Sequence, residues 1–232
     1  AGVLVNAYEY LENEVNEILK SMLIFDSFDD RGTEIIPYVK GYSVISIIGS
    51  SGVGKSTLSA KIIKNSKRKD QKIFLLTKSL NDPDPAFEEI QDDIIEVAVD
   101  DPAELPTLED MRDSFVLIDD LEGLPKSIRE YLFDFIDMVI TCGRKLKITT
   151  LYSSHISNGY IHRHLLNEQV YKIVFPSSNK WKIQQTLRLK YGISTEKLNE
   201  IFSAVKADTS RYLILHLHHP NLYATEKRVV ML

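Results

Sequence analysis

The sequence predicts an α/β protein with a mostly parallel sheet and helices on both of its faces. Three short apolar runs rich in β-branched residues, at 42–48, 73–77 and 115–118, are typical of strands that are buried on both sides. Amphipathic segments at 58–64 and 125–142 follow the first and third runs and predict helices. Strands that alternate with helices favour parallel pairing, because each helix carries the chain back across the sheet.

The composition indicates an ordinary globular protein of a reducing compartment. The chain has 232 residues, of which 44% are hydrophobic and 26% are charged, and its formal net charge is −5. Its single cysteine, Cys142, excludes an internal disulfide framework. No apolar run approaches the roughly 20 residues that cross a bilayer, so we expect no membrane span. The negative net charge argues against a protein whose whole surface binds nucleic acid, although it allows DNA to be bound by a few loops.

We expect one domain with additions at both ends. Residues 6–23 place their apolar side chains on one helical face and predict a packing helix, so 1–40 form an N-terminal helix and a connector. Residues 41–178 form the core. Residues 179–232 add helices and strands that complete the same domain.

The segment between the first strand and the first helix has the spacing of a phosphate-binding loop, G-x-x-x-x-G-K-[ST]. Its glycines let backbone N–H groups turn inward around a phosphate, and the helix N-terminus adds partial positive charge. Lys55 is positioned to reach the β- and γ-phosphates, and the Ser56 hydroxyl is positioned to bind Mg²⁺. The sequence therefore predicts an ATP and Mg²⁺ site formed by Gly49, Ser50, Ser51, Gly52, Val53, Gly54, Lys55, Ser56 and Thr57.

Two carboxylates follow the third apolar run, at the end of a strand where open α/β sheets bind ligands. We expect Asp119 to hold Mg²⁺ with Ser56, and Asp120 to polarise the attacking water as the general base. Glu122 is the second candidate for the base. A water-activating carboxylate beside a Mg²⁺ ligand favours nucleotide hydrolysis over phosphate transfer to another molecule.

Residues 81–113 differ in composition from the rest of the chain. Acidic residues dominate this stretch, and Arg112 is its only basic residue. We predict a solvated insertion with one short helix near 87–95, because a run of charge is usually a wet surface. A cluster that binds a divalent metal is the alternative interpretation.

The remaining segments extend the same alternation of strands and helices. Residues 146–155 predict a strand whose polar end, at His155, reaches the same sheet edge as Asp119. A further strand is predicted at 170–175, after a short helix. Two helices, at 179–191 and 195–205, and two strands, at 212–217 and 227–232 with a polar loop between them, complete the chain. Trp181 is interpreted as a packing residue of its helix rather than a platform for a base.

Together these motifs resemble the FtsK/HerA superfamily of DNA-pumping P-loop ATPases. The closest resemblance is to the genome-packaging ATPases of double-stranded DNA viruses, of the poxvirus-like and giant-virus type and their archaeal viral relatives. It covers roughly residues 44–176 and rests on the phosphate loop, the paired aspartates and two later segments, Cys142-Gly143-Arg144-Lys145 and Tyr152-Ser153-Ser154-His155. The phosphate loop and the paired aspartates occur in many ATPases, so the two later segments decide the family. The resemblance implies a P-loop NTPase fold.

The resemblance also implies roles for several further residues. Arg144 matches the arginine after a helix, and Arg163 matches the arginine before the last core strand. Both are candidates for an arginine finger supplied across a subunit interface, and Arg129 and Arg188 are the next candidates. His155 stands where the family has a glutamine that is expected to sense the γ-phosphate. Histidine can form that hydrogen bond, and its protonation adds pH dependence.

The function that the resemblance implies is an ATP-hydrolysing motor that translocates double-stranded DNA without sequence specificity and packages a viral genome into a preformed capsid. The implied partners are DNA, identical subunits in a pentameric or hexameric ring, and capsid vertex or portal proteins. The implied location is the virion or the host cytoplasm. Two alternatives stay open on the residues: a P-loop kinase that phosphorylates a small molecule, and a nucleotide-binding scaffold with low turnover.

Overall fold

The computed structural model describes residues 25–27, 34–39, 41–78, 84–119, 121–155, 162–176, 180–218 and 221–232. The packing helix expected at 6–23 lies outside these residues. Strands β1 (Phe25–Ser27) and β2 (Ile35–Pro37) form an antiparallel pair in the segment predicted to be a connector. The backbone N–H of Ile35 donates to the carbonyl of Glu226 at 2.9 Å, which joins this connector to the C-terminal part of the chain.

Nine further strands form one sheet, most of which is parallel. They are β3 (Val44–Ile48), β4 (Ile73–Thr77), β5 (Ile94–Ala98), β6 (Phe115–Asp119), β7 (Thr149–Ser154), β8 (Tyr171–Val174), β9 (Leu213–His216), β10 (Leu222–Ala224) and β11 (Val229–Met231). Their order across the sheet is β11-β10-β9-β8-β3-β7-β6-β4-β5. All pairs from β8 to β5 are parallel, and those from β8 to β11 are antiparallel. The predicted α/β fold and its C-terminal β addition are confirmed.

Helices cover both faces of this sheet. They are α1 (Lys55–Ser66), α2 (Lys126–Leu146), α3 (His162–Glu168), α4 (Lys180–Tyr191) and α5 (Thr195–Ala207). On one face, Leu58 of α1 belongs to the same buried cluster as Ile45 of β3. On the other face, Leu132 of α2 shares a cluster with Val44. Adjacent residues of β3 therefore face different layers, as the alternation of side chains in a strand requires.

The acidic stretch has the predicted short helix and many exposed residues, but it also adds a strand to the sheet and residues to the core, so the prediction of a solvated insertion was only partly right. It contains a 3₁₀ helix at Pro85–Asp93 and the edge strand β5, which pairs in parallel with β4. Phe87, Ile90 and Val97 are buried there. Carboxylates occupy the exposed positions around these residues, so they dominate the local composition and hide the strand. Charged side chains on an edge strand also discourage pairing with a strand of another molecule.

The polar loop expected between the last two strands contains a strand of its own. Leu222 and Tyr223 of β10 are buried, and β10 pairs with both β9 and β11. Three residues are too few to produce a period-two pattern in the sequence, so only the pairing reveals this strand.

Helix α2 continues past Gly143, where the sequence predicted its end. The helix ends at Leu146, and Lys147 follows it in the left-handed conformation with a φ of +58°. A Cβ on Gly143 would lie 3.3 Å from the Cβ of Ile148 and 3.6 Å from the ring of Tyr42. The glycine therefore allows the last helical turn to pack closely against its neighbours instead of ending the helix.

Trp181 was predicted to be a packing residue of its helix, but it is 68% exposed near the start of α4, so that prediction was wrong. Ile183 and Leu187 are the residues that α4 buries against the sheet. Trp181 lies two positions before Ile183, and residues two apart on a helix do not share a face.

A lysine is buried in the middle of the sheet. Lys172 of β8 is only 4% exposed, and its ammonium lies 5.6 Å from the centroid of the Tyr191 ring. Within the described ranges no carboxylate forms an ion pair with it. Burial lowers the pKa of Lys172 from its ordinary value to about 8, because the charged form loses its hydration.

Lys172→Met is expected to raise the free energy of unfolding at pH 7, by up to about 3 kcal/mol. Below about pH 8 the ammonium is charged in both the folded and the unfolded state, so folding costs its hydration in full. As the pH rises further, the folded protein releases this proton first, and the wild type gains stability. Chemical denaturation between pH 7 and about pH 10 measures both effects.

The variant should lack the pH-dependent gain that the wild type shows. Lys182→Met, which removes an exposed lysine from α4, is the matched control and should change stability by less than about 0.5 kcal/mol. A Lys172→Met protein that is no more stable than the wild type at pH 7 would contradict the expectation.

Candidate active site

Three strand ends meet at the carboxyl edge of the sheet. Strand β7 lies between β3 and β6, and both Ile47 and Asp119 are in register with Ser153 of β7. The phosphate loop leaves β3 at this edge, and α1 begins directly after the loop. Polar residues that are far apart in the sequence therefore lie side by side, at the position where open α/β sheets bind ligands.

The loop is held tightly at its first glycine. The N–H of Gly49 donates to the carbonyl of Ser154 at 3.1 Å, which fastens the loop to the end of β7. A Cβ on Gly49 would lie 2.8 Å from Cγ2 of Val53 and 2.9 Å from Cβ of Phe175, so no side chain fits there. Gly54 has a φ of +98°, which favours glycine, and it turns the chain into α1.

Lys55 folds back over the loop. Its side chain is 7% exposed, and the ammonium donates to the carbonyl of Ser50 at 3.1 Å. No side chain in the described part of the chain caps α1, so the N–H groups of its first turn face the loop. A buried cation and a helix N-terminus together favour a ligand with several anionic oxygens.

Ser56 and Asp119 approach each other where the helix meets the sheet. The hydroxyl of Ser56 donates to Oδ2 of Asp119 at 3.5 Å. Hydroxyl and carboxylate oxygens suit Mg²⁺, which takes few protein ligands and completes its shell with water and phosphate oxygens. The pair therefore fits the Mg²⁺ that the sequence predicts at these two residues. Among the described residues, no three His, Cys, Asp or Glu side chains cluster as a metal site elsewhere, including the acidic stretch.

The candidate general bases follow Asp119 directly in the chain. Asp120 lies outside the described residues. Glu122 belongs to a short 3₁₀ turn, Leu121–Gly123, and its side chain also lies outside them. The choice between the two carboxylates therefore stays a prediction.

His155 lies directly after β7, at the carboxyl edge of the sheet. It follows Ser154, the residue whose carbonyl holds Gly49, and so lies at the carboxyl edge between the loop and the strand of Asp119. Its position is compatible with contact to a terminal phosphate, and its role stays a prediction.

The candidate arginines lie at different levels of the sheet. Arg144 is exposed in the last turn of α2, at the amino edge from which β7 starts. Because β7 spans about 17 Å at 3.3 Å per residue, Arg144 is beyond reach of its own phosphate loop. Arg163 lies in the first turn of α3, and its side chain is outside the described residues. Arg129, near the start of α2, has a buried Nε that lacks a partner in the described part of the chain, and Arg188 is exposed on α4.

Two further polar residues lie at the carboxyl edge: Lys78, which no prediction named, and Ser153, which the sequence predictions used only as part of the segment from Tyr152 to His155. Lys78 follows β4, and its Nζ lies 2.8 Å from the point where a Cβ of Gly123 would be, beside the turn that follows β6. Ser153 is buried in register with Asp119, and its hydroxyl has no hydrogen-bond partner among the described atoms. The rule that selected Asp119, a polar residue at the carboxyl end of an apolar strand, would also have selected both.

A cavity of about 520 Å³ opens beside the loop. Its lining includes Val53, Phe175 and Pro176, together with Phe202 and other residues of α5. Lys180 stands at the cavity with its ammonium 5.2 Å from the centroid of the Phe202 ring. The space next to the loop is therefore apolar and bordered by positive charge.

The sequence matches no protein-family model, and no curated protein is significantly similar to it. Among solved structures, the chain is similar to the genome packaging NTPase B204 of Sulfolobus turreted icosahedral virus 2 in complex with sulfate, with a TM-score of 0.52. The sequence identity is 12%, and the match covers 84% of this chain and 100% of that chain. The fold is that of a P-loop NTPase.

Two weaker similarities accompany this match. The same packaging NTPase in complex with ATP-gammaS has a TM-score of 0.49 at 12% identity, over 83% of this chain and 100% of that chain. A KaiC-like protein from Pyrococcus horikoshii OT3 has a TM-score of 0.41 at 16% identity, over 65% and 80%. Only the 0.52 match bears on the P-loop NTPase fold. None of the helices in the described part of the chain is long and apolar enough to cross a bilayer.

Proposed function

We propose that this P-loop NTPase hydrolyses ATP and uses the released energy to translocate double-stranded DNA, packaging a viral genome into a preformed capsid. The contact of 3.5 Å between Ser56 and Asp119, beside the buried Lys55, carries the hydrolytic part of the proposal. The motif resemblance supports translocation, as does the similar fold of a genome packaging NTPase.

In this proposal the loop amides and Lys55 bind the ATP phosphates, and the cavity beside Val53 receives the base and ribose. Ser56 and Asp119 would hold Mg²⁺, which when bound neutralises charge on the phosphate oxygens. Asp120 orients the attacking water and accepts its proton, with Glu122 as the second candidate.

The chemistry needs one further cation near the γ-phosphate. An arginine from a neighbouring subunit would stabilise the charge of the transition state, so a lone subunit would hydrolyse ATP slowly. This requirement supports a pentameric or hexameric ring with nucleotide at its interfaces. DNA would be gripped through its phosphates, without sequence specificity and with a strong dependence on salt. Capsid vertex or portal proteins, in the virion or the host cytoplasm, are the remaining proposed partners.

Steady-state ATP hydrolysis, measured with and without long double-stranded DNA over a range of protein concentrations, tests the function. Turnover per subunit should rise with both DNA and protein concentration, because assembly completes each active site and DNA is the substrate that the motor moves. Turnover that is indifferent to both would overturn the motor. Phosphate transfer to a small molecule under those conditions would instead identify a kinase.

Asp120→Asn is expected to leave the Kd for ATP within about threefold and to lower kcat by about 10²–10⁴, the usual contribution of a general base. The amide keeps the size of the side chain but cannot accept the proton of water. Glu122→Gln, measured in parallel, separates the two candidates. Normal hydrolysis by Asp120→Asn together with loss in Glu122→Gln would move the base assignment to Glu122.

A further inference from the structure

Helix α4 presents an apolar and basic face to solvent. Trp181 is 68% exposed and Leu189 is 64% exposed, the two largest values among the exposed large hydrophobic residues of the described chain. Their spacing of eight positions is one that places residues on the same side of a helix. Lys182, Arg188 and Lys190 are exposed around them, and α4 contains no acidic residue. We call this surface the α4 face.

A groove with the opposite chemistry lies beside the edge strand β5. It has a volume of about 400 Å³. The acidic residues Asp84, Glu88 and Glu96 form its exposed rim, around the partly exposed Ile94 and a floor of Leu75 and Phe87, which are only 5% and 4% exposed. Glu88 and Glu96 are exposed, and neither forms an ion pair with a described residue. We call this surface the β5 groove.

The two surfaces cannot meet within one subunit. Strands β8 and β5 are five positions apart in the sheet, about 24 Å at 4.8 Å per strand. They also belong to different faces. Leu75 and Phe87 share the buried cluster of α1, whereas Leu187 of α4 packs with Val174 on the opposite face. The α4 face and the β5 groove therefore lie diagonally opposite each other.

We propose that the α4 face of one subunit docks into the β5 groove of the next copy of the chain. The α4 face carries two exposed apolar side chains among positive charges, and the groove presents the partly exposed Ile94 within a rim of negative charges. DNA is the poorer occupant of the α4 face, because a phosphate backbone offers no apolar partner for Trp181 and Leu189. Contact between two different surfaces is heterologous, so it builds a ring when the rotation closes. The inference rests on the proposed function, which requires such an assembly.

This docking places the interface beside the nucleotide. Lys180, which precedes Trp181, borders the same cavity as Val53 of the phosphate loop. A nucleotide bound at the loop therefore adjoins the first turn of the α4 face. We expect ATP to tighten the association of subunits.

Paired charge reversals on the full chain test this interface by sedimentation velocity. Lys182→Glu with Arg188→Glu reverses the α4 face, and Glu88→Lys with Glu96→Lys reverses the groove. Each double variant should self-associate at least about tenfold more weakly than the wild type, because like charges then face each other. Lys69→Glu with Lys126→Glu makes the same change in net charge as the α4 reversal, at exposed lysines that line neither surface, and should leave association within about twofold.

A mixture of the two reversed proteins gives the sharpest outcome. Each contact between the two different components joins opposite charges, so the mixture should associate into mixed pairs, open chains or even-numbered rings although neither component does so alone. Circular dichroism checks that both components are folded.

Three results would overturn the interface: a wild type that stays monomeric at about 100 μM with ATP, α4 reversal without effect on association, or folded variants that fail to assemble when mixed. Loss of DNA retention with unchanged association would make the α4 face a DNA surface instead. ATP hydrolysis by the same samples is read separately. If the wild type hydrolyses ATP but does not assemble, the proposed ATPase activity stands and the proposed interface is wrong. If it assembles but does not hydrolyse ATP, the interface stands and the proposed activity is wrong.

Discussion

Lys55→Ala is expected to lower kcat/KM for ATP by about 10³, the scale of losing one preorganised donor to developing negative charge. Lys55 is 7% exposed, and its ammonium donates to the carbonyl of Ser50 in the loop, where the proposed function requires a phosphate partner. Water that replaces this ammonium would supply no fixed charge. Steady-state hydrolysis and nucleotide binding measure the loss.

Lys64→Ala is the matched control for this experiment. Lys64 lies on the same helix, but its side chain is 51% exposed and pairs with Glu89, so its removal should change kcat/KM by less than about twofold. Circular dichroism of both variants checks the fold. If Lys55→Ala kept wild-type kcat/KM, the nucleotide would have to bind somewhere other than this loop.

Arg144→Ala is expected to lower the ATP turnover of the assembled protein by about 10³–10⁵, the contribution of an arginine finger. Arg144 lies at the amino edge of the sheet, about 17 Å along β7 from the phosphate loop of its own chain, so its effect must be exerted on a neighbouring subunit. Turnover is measured at a protein concentration at which the wild type is assembled. Arg112→Ala, which removes an exposed arginine paired with Glu109, is the control.

Mixing two inactive variants shows whether the arginine acts across an interface. A Lys55→Ala subunit keeps Arg144 but cannot use ATP, whereas an Arg144→Ala subunit keeps its phosphate loop. In a mixed ring, a Lys55→Ala subunit supplies Arg144 to the intact phosphate loop of an Arg144→Ala neighbour. Turnover should therefore rise well above that of either variant alone. Full turnover by Arg144→Ala would remove it as the finger. Arg163→Ala, carried through the same mixing, is the next candidate to fill the role.

The helices and most strands could be predicted because their signals are local. The strands β3, β4 and β6 are continuous apolar runs, and α1 and α2 show apolar residues on one face. Strand β5 escaped prediction because acidic residues flank it on both sides and Glu96 interrupts its apolar residues, so only the packing that buries Val97 distinguishes it. Gly143 was misread because glycine both ends helices and permits close packing, and the neighbours Tyr42 and Ile148 decide which role applies.

The phosphate site likewise has features that the sequence alone predicts and features that only the tertiary structure decides. Nine adjacent residues carry the loop chemistry, so the sequence was sufficient to predict the anion site and to name Lys55 and Ser56. It also placed Asp119 at a strand end. The contact between Ser56 and Asp119, residues 63 positions apart, appears only when β7 is inserted between β3 and β6. Strand order and surface exposure, including that of Trp181, depend on contacts between distant segments, and no local pattern of residues encodes them.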